Sequence, residues 1–140
     1  MCAVGMISEK DAGTIRDLFE KNLVEPVQIE YHTQADAGED GDCQTCKQTG
    51  ELLADVAALS PNVHLHVHEN TSEVVPSFEL KGKNRGRVRY LGIPAGYEFT
   101  SLIEDIIDVS RGETKLSAAT REALAGLKHP VHIQVFFTPT

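Results

Sequence analysis

Cysteine, tryptophan and basic residues are scarce in this chain of 140 residues. It has three cysteines and no tryptophan, and 13 lysines and arginines stand against 21 aspartates and glutamates, for a formal net charge of −8. Three cysteines are too few for the disulfide framework of a small secreted scaffold. Phosphate binding needs clustered lysine and arginine, so this charge balance predicts no nucleic-acid partner.

Long apolar runs are absent as well. No segment approaches the roughly 20 apolar residues that span a bilayer. The stretch Met1 to Gly5 has neither the basic nor the apolar region of a signal peptide. The length is suited to one cored domain rather than two large ones. The sequence therefore predicts a cytoplasmic protein that makes no membrane contact.

Two of the three cysteines form the motif Cys43-Gln44-Thr45-Cys46, which follows an extended segment and opens a predicted helix. Two thiols at this spacing on a first helical turn can close a disulfide, and the helix N-terminus stabilises a thiolate there. The motif alone also occurs in zinc sites. Its position between strand and helix, ahead of Val75-Pro76 at the start of a later strand, is typical of a thioredoxin-like disulfide site. Cys2 is interpreted as an incidental thiol.

Apolar periodicity predicts the other elements of the chain. Spacing of three and four residues indicates helices, and alternation indicates half-buried strands. Helices are predicted over 8–23, 43–59 and 98–110, strands over 27–32 and 63–68, and a hairpin over 77–91 with its turn at 82–86.

Three histidines, His64, His66 and His68, alternate with apolar residues and so share one face of a strand. Same-face neighbours on a strand are about 6.6 Å apart, whereas zinc needs ligand atoms about 2 Å away. Three of them on one straight strand cannot surround one ion, and we interpret them as a solvent-facing polar face. A metal site on the cysteine pair, with His32 as third ligand, stays an alternative.

The end of the chain repeats its beginning. A helix followed by Pro26-Val27-Gln28-Ile29-Glu30-Tyr31 is echoed by a predicted helix over 116–127 followed by Pro130-Val131-His132-Ile133-Gln134-Val135. A repeat of this kind indicates a duplicated module. We therefore divide the chain into a unit with the cysteine motif, residues 1–115, and the first helix and strand of a second, truncated unit, residues 116–140.

The predicted last strand, residues 131–137, has no neighbouring strand within the chain. Val131, Ile133 and Val135 make one of its faces apolar. An unpaired apolar strand is stabilised when it finds a partner. We expect it to dock on the first unit or to pair between two chains in a homodimer.

Several stretches carry a family resemblance. The segments Arg87-Val88-Arg89-Tyr90-Leu91-Gly92-Ile93-Pro94-Ala95-Gly96-Tyr97-Glu98-Phe99 and Glu104-Asp105-Ile106-Ile107-Asp108-Val109-Ser110 resemble the N-terminal unit of the protein disulfide oxidoreductases. Those glutaredoxin-like proteins contain two tandem thioredoxin-fold units, each with a CxxC motif. Pro76-Ser77-Phe78 and Gly96-Tyr97-Glu98-Phe99-Thr100-Ser101-Leu102 also resemble the N-terminal domain of the flavin-dependent component of alkyl hydroperoxide reductase, a similar tandem whose first unit has lost its cysteines.

This resemblance implies an α/β, thioredoxin-like fold. It implies a mixed four-stranded sheet with flanking helices, without the helix that usually precedes the cis-Pro strand. The eight positions from Glu69 to Pro76 are too few for a crossover that contains a helix. One face of the sheet is therefore expected to be left to water.

The resemblance also implies roles for individual residues. Cys43 would be the attacking thiolate and Cys46 the thiol that resolves the mixed disulfide. Pro76 would be the cis-proline beside the disulfide, with the Val75 backbone pairing with an extended substrate. Protein disulfides or a reductase donor are the implied partners. No cofactor is predicted, because no glycine-rich fingerprint follows a strand.

Three functions remain open at this point. The first is a dithiol–disulfide oxidoreductase, which is one half of a two-unit redox protein. The second is a redox-weak scaffold or docking half, and the third is the metal site. Asp36, Glu39, Asp40 and Asp42 weigh on the choice, because carboxylates raise the pKa of a neighbouring thiol and would weaken Cys43 as a nucleophile.

Overall fold

Four helices and four strands make up residues 5–34, 43 and 45–138, the part of the chain that the computed structural model describes. Within these ranges no helix has the length and apolarity needed to cross a membrane. The elements in chain order are α1 (Glu9–Asn22), β1 (Val27–Thr33), α2 (Cys46–Ala58), β2 (Val63–Glu69), β3 (Ser77–Lys81), β4 (Val88–Leu91), α3 (Tyr97–Arg111) and α4 (Ala118–Ala125).

The four strands form one mixed sheet in the order β2-β1-β3-β4. β1 runs parallel to β2 and antiparallel to β3, and β3 runs antiparallel to β4. Residues 70–76 lead from β2 to β3 without a helix. The mixed four-stranded sheet and the missing helix are both confirmed.

The two faces of the sheet differ in polarity. Val27, Ile29 and Tyr31 of β1 are buried and belong to one apolar core with residues of α1, α2 and α3. The alternate residues of β1, which point to the other face, are only half buried. The helices therefore cover one face, and the other is open. The largest fully buried side chains of the core are those of Tyr31, Phe19, Phe78, Ile29, Leu53, Leu80, Leu102 and Ile106.

Helix α1 begins and ends close to the predicted bounds. The Ser8 hydroxyl accepts a hydrogen bond of 3.1 Å from the Asp11 backbone N–H, which is the expected N-cap contact. Ala12, Ile15 and Phe19 form its buried stripe. This helix lies against α3, so the first helix of the chain joins the same layer as the last helix of the unit.

Helix α2 begins later than the sequence predicts. Thr45 is its N-cap, and the Thr45 carbonyl accepts the bond of 2.9 Å from the Thr49 backbone N–H. Cys43 therefore precedes the helix, and only Cys46 lies in its first turn. The prediction that both cysteines share that turn is wrong, because the first intrahelical bond is accepted at Thr45 rather than at Cys43.

The predicted strand over 131–137 is not formed. Residues 131–138 have no regular secondary structure and are exposed, and α4 buries none of its residues. A strand exists only through hydrogen bonds to a neighbouring strand. Along the described part of the chain this segment has no such neighbour, and the expected docking on the first unit is not seen.

Candidate active site

Cys43 and Cys46 form a disulfide, with their Cα atoms 5.5 Å apart. Both residues are buried, but Cys43 keeps 5% of its surface exposed and Cys46 only 1%. A partner that approaches the disulfide from solvent therefore reaches Cys43 first. The structure brings the two predicted sulfur residues together with the order of access that the predicted roles require.

Tyr31 of β1 holds the turn that carries Cys46. Its hydroxyl donates a hydrogen bond of 2.5 Å to the Cys46 carbonyl and makes a second one of 3.2 Å with the Thr33 hydroxyl. Burial is the main cause that raises the pKa of Tyr31 above its ordinary value. The ring packs against Gly50, where a Cβ atom would come within 3.3 Å of it. The disulfide turn is thereby fixed to the central strand.

Sequence reasoning placed Tyr31 on the core face but missed this contact. The available signal was the residue type, because a buried tyrosine needs a partner for its hydroxyl. Thr49, also missed, is buried and donates its hydroxyl to the Thr45 carbonyl at 2.7 Å. Both side chains stabilise the first turn of α2 beside the disulfide.

Pro76 lies at the same end of the sheet as the disulfide turn. The Val75–Pro76 peptide bond is cis, as the resemblance implies. Pro76 is buried and Val75 half buried, immediately before β3. In the next two positions Ser77 lies opposite His32, and Phe78 lies opposite Tyr31. Tyr31 thus connects the proline end of β3 with the turn of Cys46.

The segment over 70–76 crosses the open face before it reaches Pro76. The Thr71 hydroxyl lies 3.2 Å from Nδ1 of His32, and Glu73 forms an ion pair of 2.6 Å with Arg89 of β4. Beneath its end, the hydroxyl of Ser77 is fully buried and has no hydrogen-bond partner among the described residues. Contacts to β1 and β4 therefore hold the segment that carries Val75.

The histidine face is polar and exposed, as predicted. His66 bonds to Gln28 at 2.5 Å, and His68 bonds to Glu30 at 2.6 Å. The hydrogen bond from His68 holds the pKa of Glu30 below its ordinary value. The ring of His32 stacks on His68 with centroids 5.1 Å apart. These histidines are paired with strand neighbours.

The metal alternative gains no support from this geometry. It needs both cysteines as thiolates, whereas their sulfur atoms are bonded to each other. Among the described residues no three or more His, Cys, Asp or Glu side chains are placed to hold an ion. The acidic residues Asp36, Glu39, Asp40 and Asp42, and Cys2, lie outside the described residues. Their predicted effects stay predictions.

A second buried pair joins β4 to α3. The Tyr90 hydroxyl donates a hydrogen bond to the Asp105 carboxylate, and its ring stacks on Phe78 with centroids 4.8 Å apart. Burial is the main cause that raises the pKa of Asp105, and the hydrogen bond from Tyr90 opposes that shift. Burial also raises the pKa of Tyr90 well above its ordinary value.

The raised pKa of Asp105 predicts a pH-dependent effect of Asp105→Asn. A carboxyl whose pKa is higher in the folded state stabilises the fold below its unfolded pKa, and this stabilisation is lost as pH rises through the folded pKa. The variant lacks that loss. Its free energy of unfolding relative to wild type is therefore expected to increase from about pH 3.5 to about pH 7, as measured by urea unfolding.

Tyr90→Phe supplies the matched comparison for that experiment. It removes the hydrogen bond that opposes the shift at Asp105, so stability should be lost more steeply with rising pH in this variant than in wild type. If Asp105→Asn changes stability by the same amount at both pH values, the carboxyl does not titrate differently in the folded state, and this account of the pair is wrong.

Comparison with known proteins identifies the fold. No protein-family model matches the chain. A protein disulfide oxidoreductase from Aeropyrum pernix superposes with a TM-score of 0.71 at 28% identity, covering 91% of this chain and 57% of that one. The chain has a thioredoxin-like fold. The structure of the alkyl hydroperoxide reductase AhpF of Enterococcus faecalis, at 19% identity and a TM-score of 0.68, covers 86% of this chain and 61% of that one, and it shares the fold.

Curated relatives give the same picture. The chain is 30% identical over 122 residues to the alkyl hydroperoxide reductase AhpF of Staphylococcus epidermidis. It is 25% identical over 119 residues to AhpF of Xanthomonas campestris pv. phaseoli. These matches span 86% and 84% of this chain but only 23% and 21% of those proteins. Both predicted resemblances are confirmed, and the disulfide together with these similarities agrees with thiol–disulfide exchange as the class of function.

Proposed function

We propose that this protein is a dithiol–disulfide oxidoreductase that acts on protein partners through Cys43 and Cys46. The observation that carries the proposal is the Cys43–Cys46 disulfide at the start of α2, in a thioredoxin-like unit 28% identical to a protein disulfide oxidoreductase. Tyr31 and Thr49 fix the turn that holds it, so the pair can open and close on a rigid support.

The reduced pair would transfer two electrons to a substrate disulfide in two steps. The Cys43 thiolate attacks one substrate sulfur, forms a mixed disulfide and releases the other substrate sulfur as a thiolate, which takes up a proton. The Cys46 thiolate then attacks the Cys43 sulfur, closes the intramolecular disulfide and releases the second substrate thiolate. A protein dithiol reverses both steps and restores the reduced pair.

Val75 and Pro76 would position the substrate. Val75 is half buried directly before β3, at the end of the sheet where Tyr31 contacts the disulfide turn. An extended substrate segment could pair with this backbone, which is the usual geometry of strand addition. The partners are then proteins that present a disulfide or a dithiol in an extended segment. A reducing cytoplasm would keep such a cycle supplied with dithiols.

Cys46→Ser is expected to stop the cycle at the mixed disulfide. With the resolving thiol gone, Cys43 should stay bound to a disulfide-containing peptide, and mass spectrometry should detect the covalent adduct. Cys43→Ser is the matched control, because it also lacks the intramolecular disulfide but leaves only the more buried sulfur. An adduct of equal yield on Cys43→Ser would refute the assignment of Cys43 as the nucleophile.

A second candidate is a docking half of a larger peroxide-reducing enzyme. It is favoured by the similarity to the alkyl hydroperoxide reductase AhpF, of which this chain spans 23%. In this case the pair would be slow, and the fold would serve to bind a partner. The rate of disulfide exchange by the wild-type protein separates the two candidates, since a docking half would not exceed the rate of free dithiothreitol.

A further inference from the structure

The C-terminal segment over 131–137, called the tail below, carries an apolar face that the structure leaves in water. Val131 is 63% exposed, Ile133 80% and Val135 86%. In the sequence echo these residues correspond to three residues of β1, Val27, Ile29 and Tyr31, which are at most 2% exposed. The tail thus has the pattern of a core strand without the neighbours of one.

The outer edge of β2 has the complementary deficiency. β2 is at one end of the sheet and pairs only with β1 within the described part of the chain. Val63 and Val67 share the core face of this strand, yet Val63 is 4% exposed and Val67 is 52% exposed. Among the described residues, no element covers the core face at the far end of β2. A further strand beside β2 would remove this surface from water and pair the free backbone groups of the edge.

We propose that the tail of a second copy of this chain adds to the outer edge of β2, and that two copies exchange their tails in a symmetric homodimer. Lengths and patterns match. β2 has seven residues, Val63–Glu69, in the pattern VHLHVHE, and the tail is VHIQVFF. With its apolar residues on the core face, the tail places His132 and Gln134 on the open polar face, beside the histidines of β2.

A second copy is the occupant that the surfaces favour. The two unpaired features, tail and edge, are both present in every chain, so two copies satisfy both in one closed interface. Strand addition supplies main-chain hydrogen bonds along the tail, and its alternate side chains extend the apolar core. The tail of the same chain lies exposed and away from β2 in the structure.

Single charged substitutions on the two surfaces test the proposal. Size-exclusion chromatography with light scattering of the 140-residue chain should give a dimer. Ile133→Lys in the tail and Val67→Lys at the edge should each raise the dimer dissociation constant at least about tenfold. Leu91→Lys is the matched control, since Leu91 is 62% exposed on β4, at the opposite edge of the sheet. It should leave the dimer unchanged.

Mixing the two variants distinguishes tail exchange from other dimers. The Ile133→Lys chain keeps an intact edge, and the Val67→Lys chain keeps an intact tail, so a mixed dimer retains one of the two tail–edge contacts. A size-tagged mixture should therefore form a one-to-one heterodimer, although each variant alone is monomeric. In the wild-type dimer, amide exchange should be slow at both 63–69 and 131–137.

Three results would overturn the proposal. A wild-type chain that stays monomeric up to high micromolar concentration excludes exchange between copies, even if its own tail proves protected. A dimer that survives Val67→Lys does not use the β2 edge. A mixture that yields no heterodimer indicates contact between two tails instead. Circular dichroism of each variant guards against unfolding, and both substituted positions are solvent-exposed. None of these outcomes depends on the redox activity.

Discussion

Cys43→Ser is expected to reduce the rate of insulin disulfide reduction, with dithiothreitol-primed protein, to the rate of dithiothreitol alone. Attack on a disulfide requires a thiolate, and a serine hydroxyl does not ionise near neutral pH. The remaining sulfur belongs to Cys46, which is 1% exposed and is held in the first turn of α2 by the contact with Tyr31. It cannot replace Cys43 at the surface.

Two controls make this result specific. Cys2→Ser removes the third cysteine and should leave the rate unchanged. Cys46→Ser removes the intramolecular disulfide as Cys43→Ser does, so an equal far-ultraviolet circular dichroism spectrum for the two variants excludes a general loss of structure. If Cys43→Ser reduces insulin as fast as wild type, the exchange function fails, and the docking half becomes the better interpretation.

Leu80→Ala is expected to lower the free energy of unfolding by about 2–5 kcal/mol. Leu80 is fully buried at the centre of the sheet, where β3 pairs it with Ile29 and Val88. Removing its side chain loses apolar burial and leaves a cavity under the helices. Because a domain is stable by only about 5–15 kcal/mol, this change should lower the urea midpoint clearly.

Leu91→Ala is the matched comparison for the two faces of the sheet. Leu91 is 62% exposed and lies opposite Ser77 on the open face. The same deletion of atoms should change stability by only about 0.5 kcal/mol. Equal losses for the two variants would contradict the division of the sheet into a covered face and an open face.

Much of the fold could be predicted because its signals are local. The alternation in Val27, Ile29 and Tyr31 predicts which face of β1 is buried, and the structure agrees. Ser8 and its neighbour Asp11 predict the start of α1, since capping involves only residues three apart. The short connection from β2 to β3 predicts the missing helix from chain length alone.

The candidate site was predictable only in part. The cysteine spacing indicates the disulfide, because residues so near in sequence are necessarily near in space. The hydrogen bond from Tyr31 to the Cys46 carbonyl joins a strand to a later helix, and the pair of Tyr90 and Asp105 joins β4 to α3. No local pattern specifies such contacts, since they depend on how the elements pack.

The sequence by itself determined the identity of the sulfur pair, the type of most elements and the face that each strand buries. These properties follow from the period of the side chains along one element. Only the tertiary structure decided that α2 begins after Cys43, that Val75 and Pro76 lie at the disulfide end of the sheet, and that residues 131–137 form no strand. Each of these depends on hydrogen bonds between segments distant in the chain, and a strand without a neighbour has none to make.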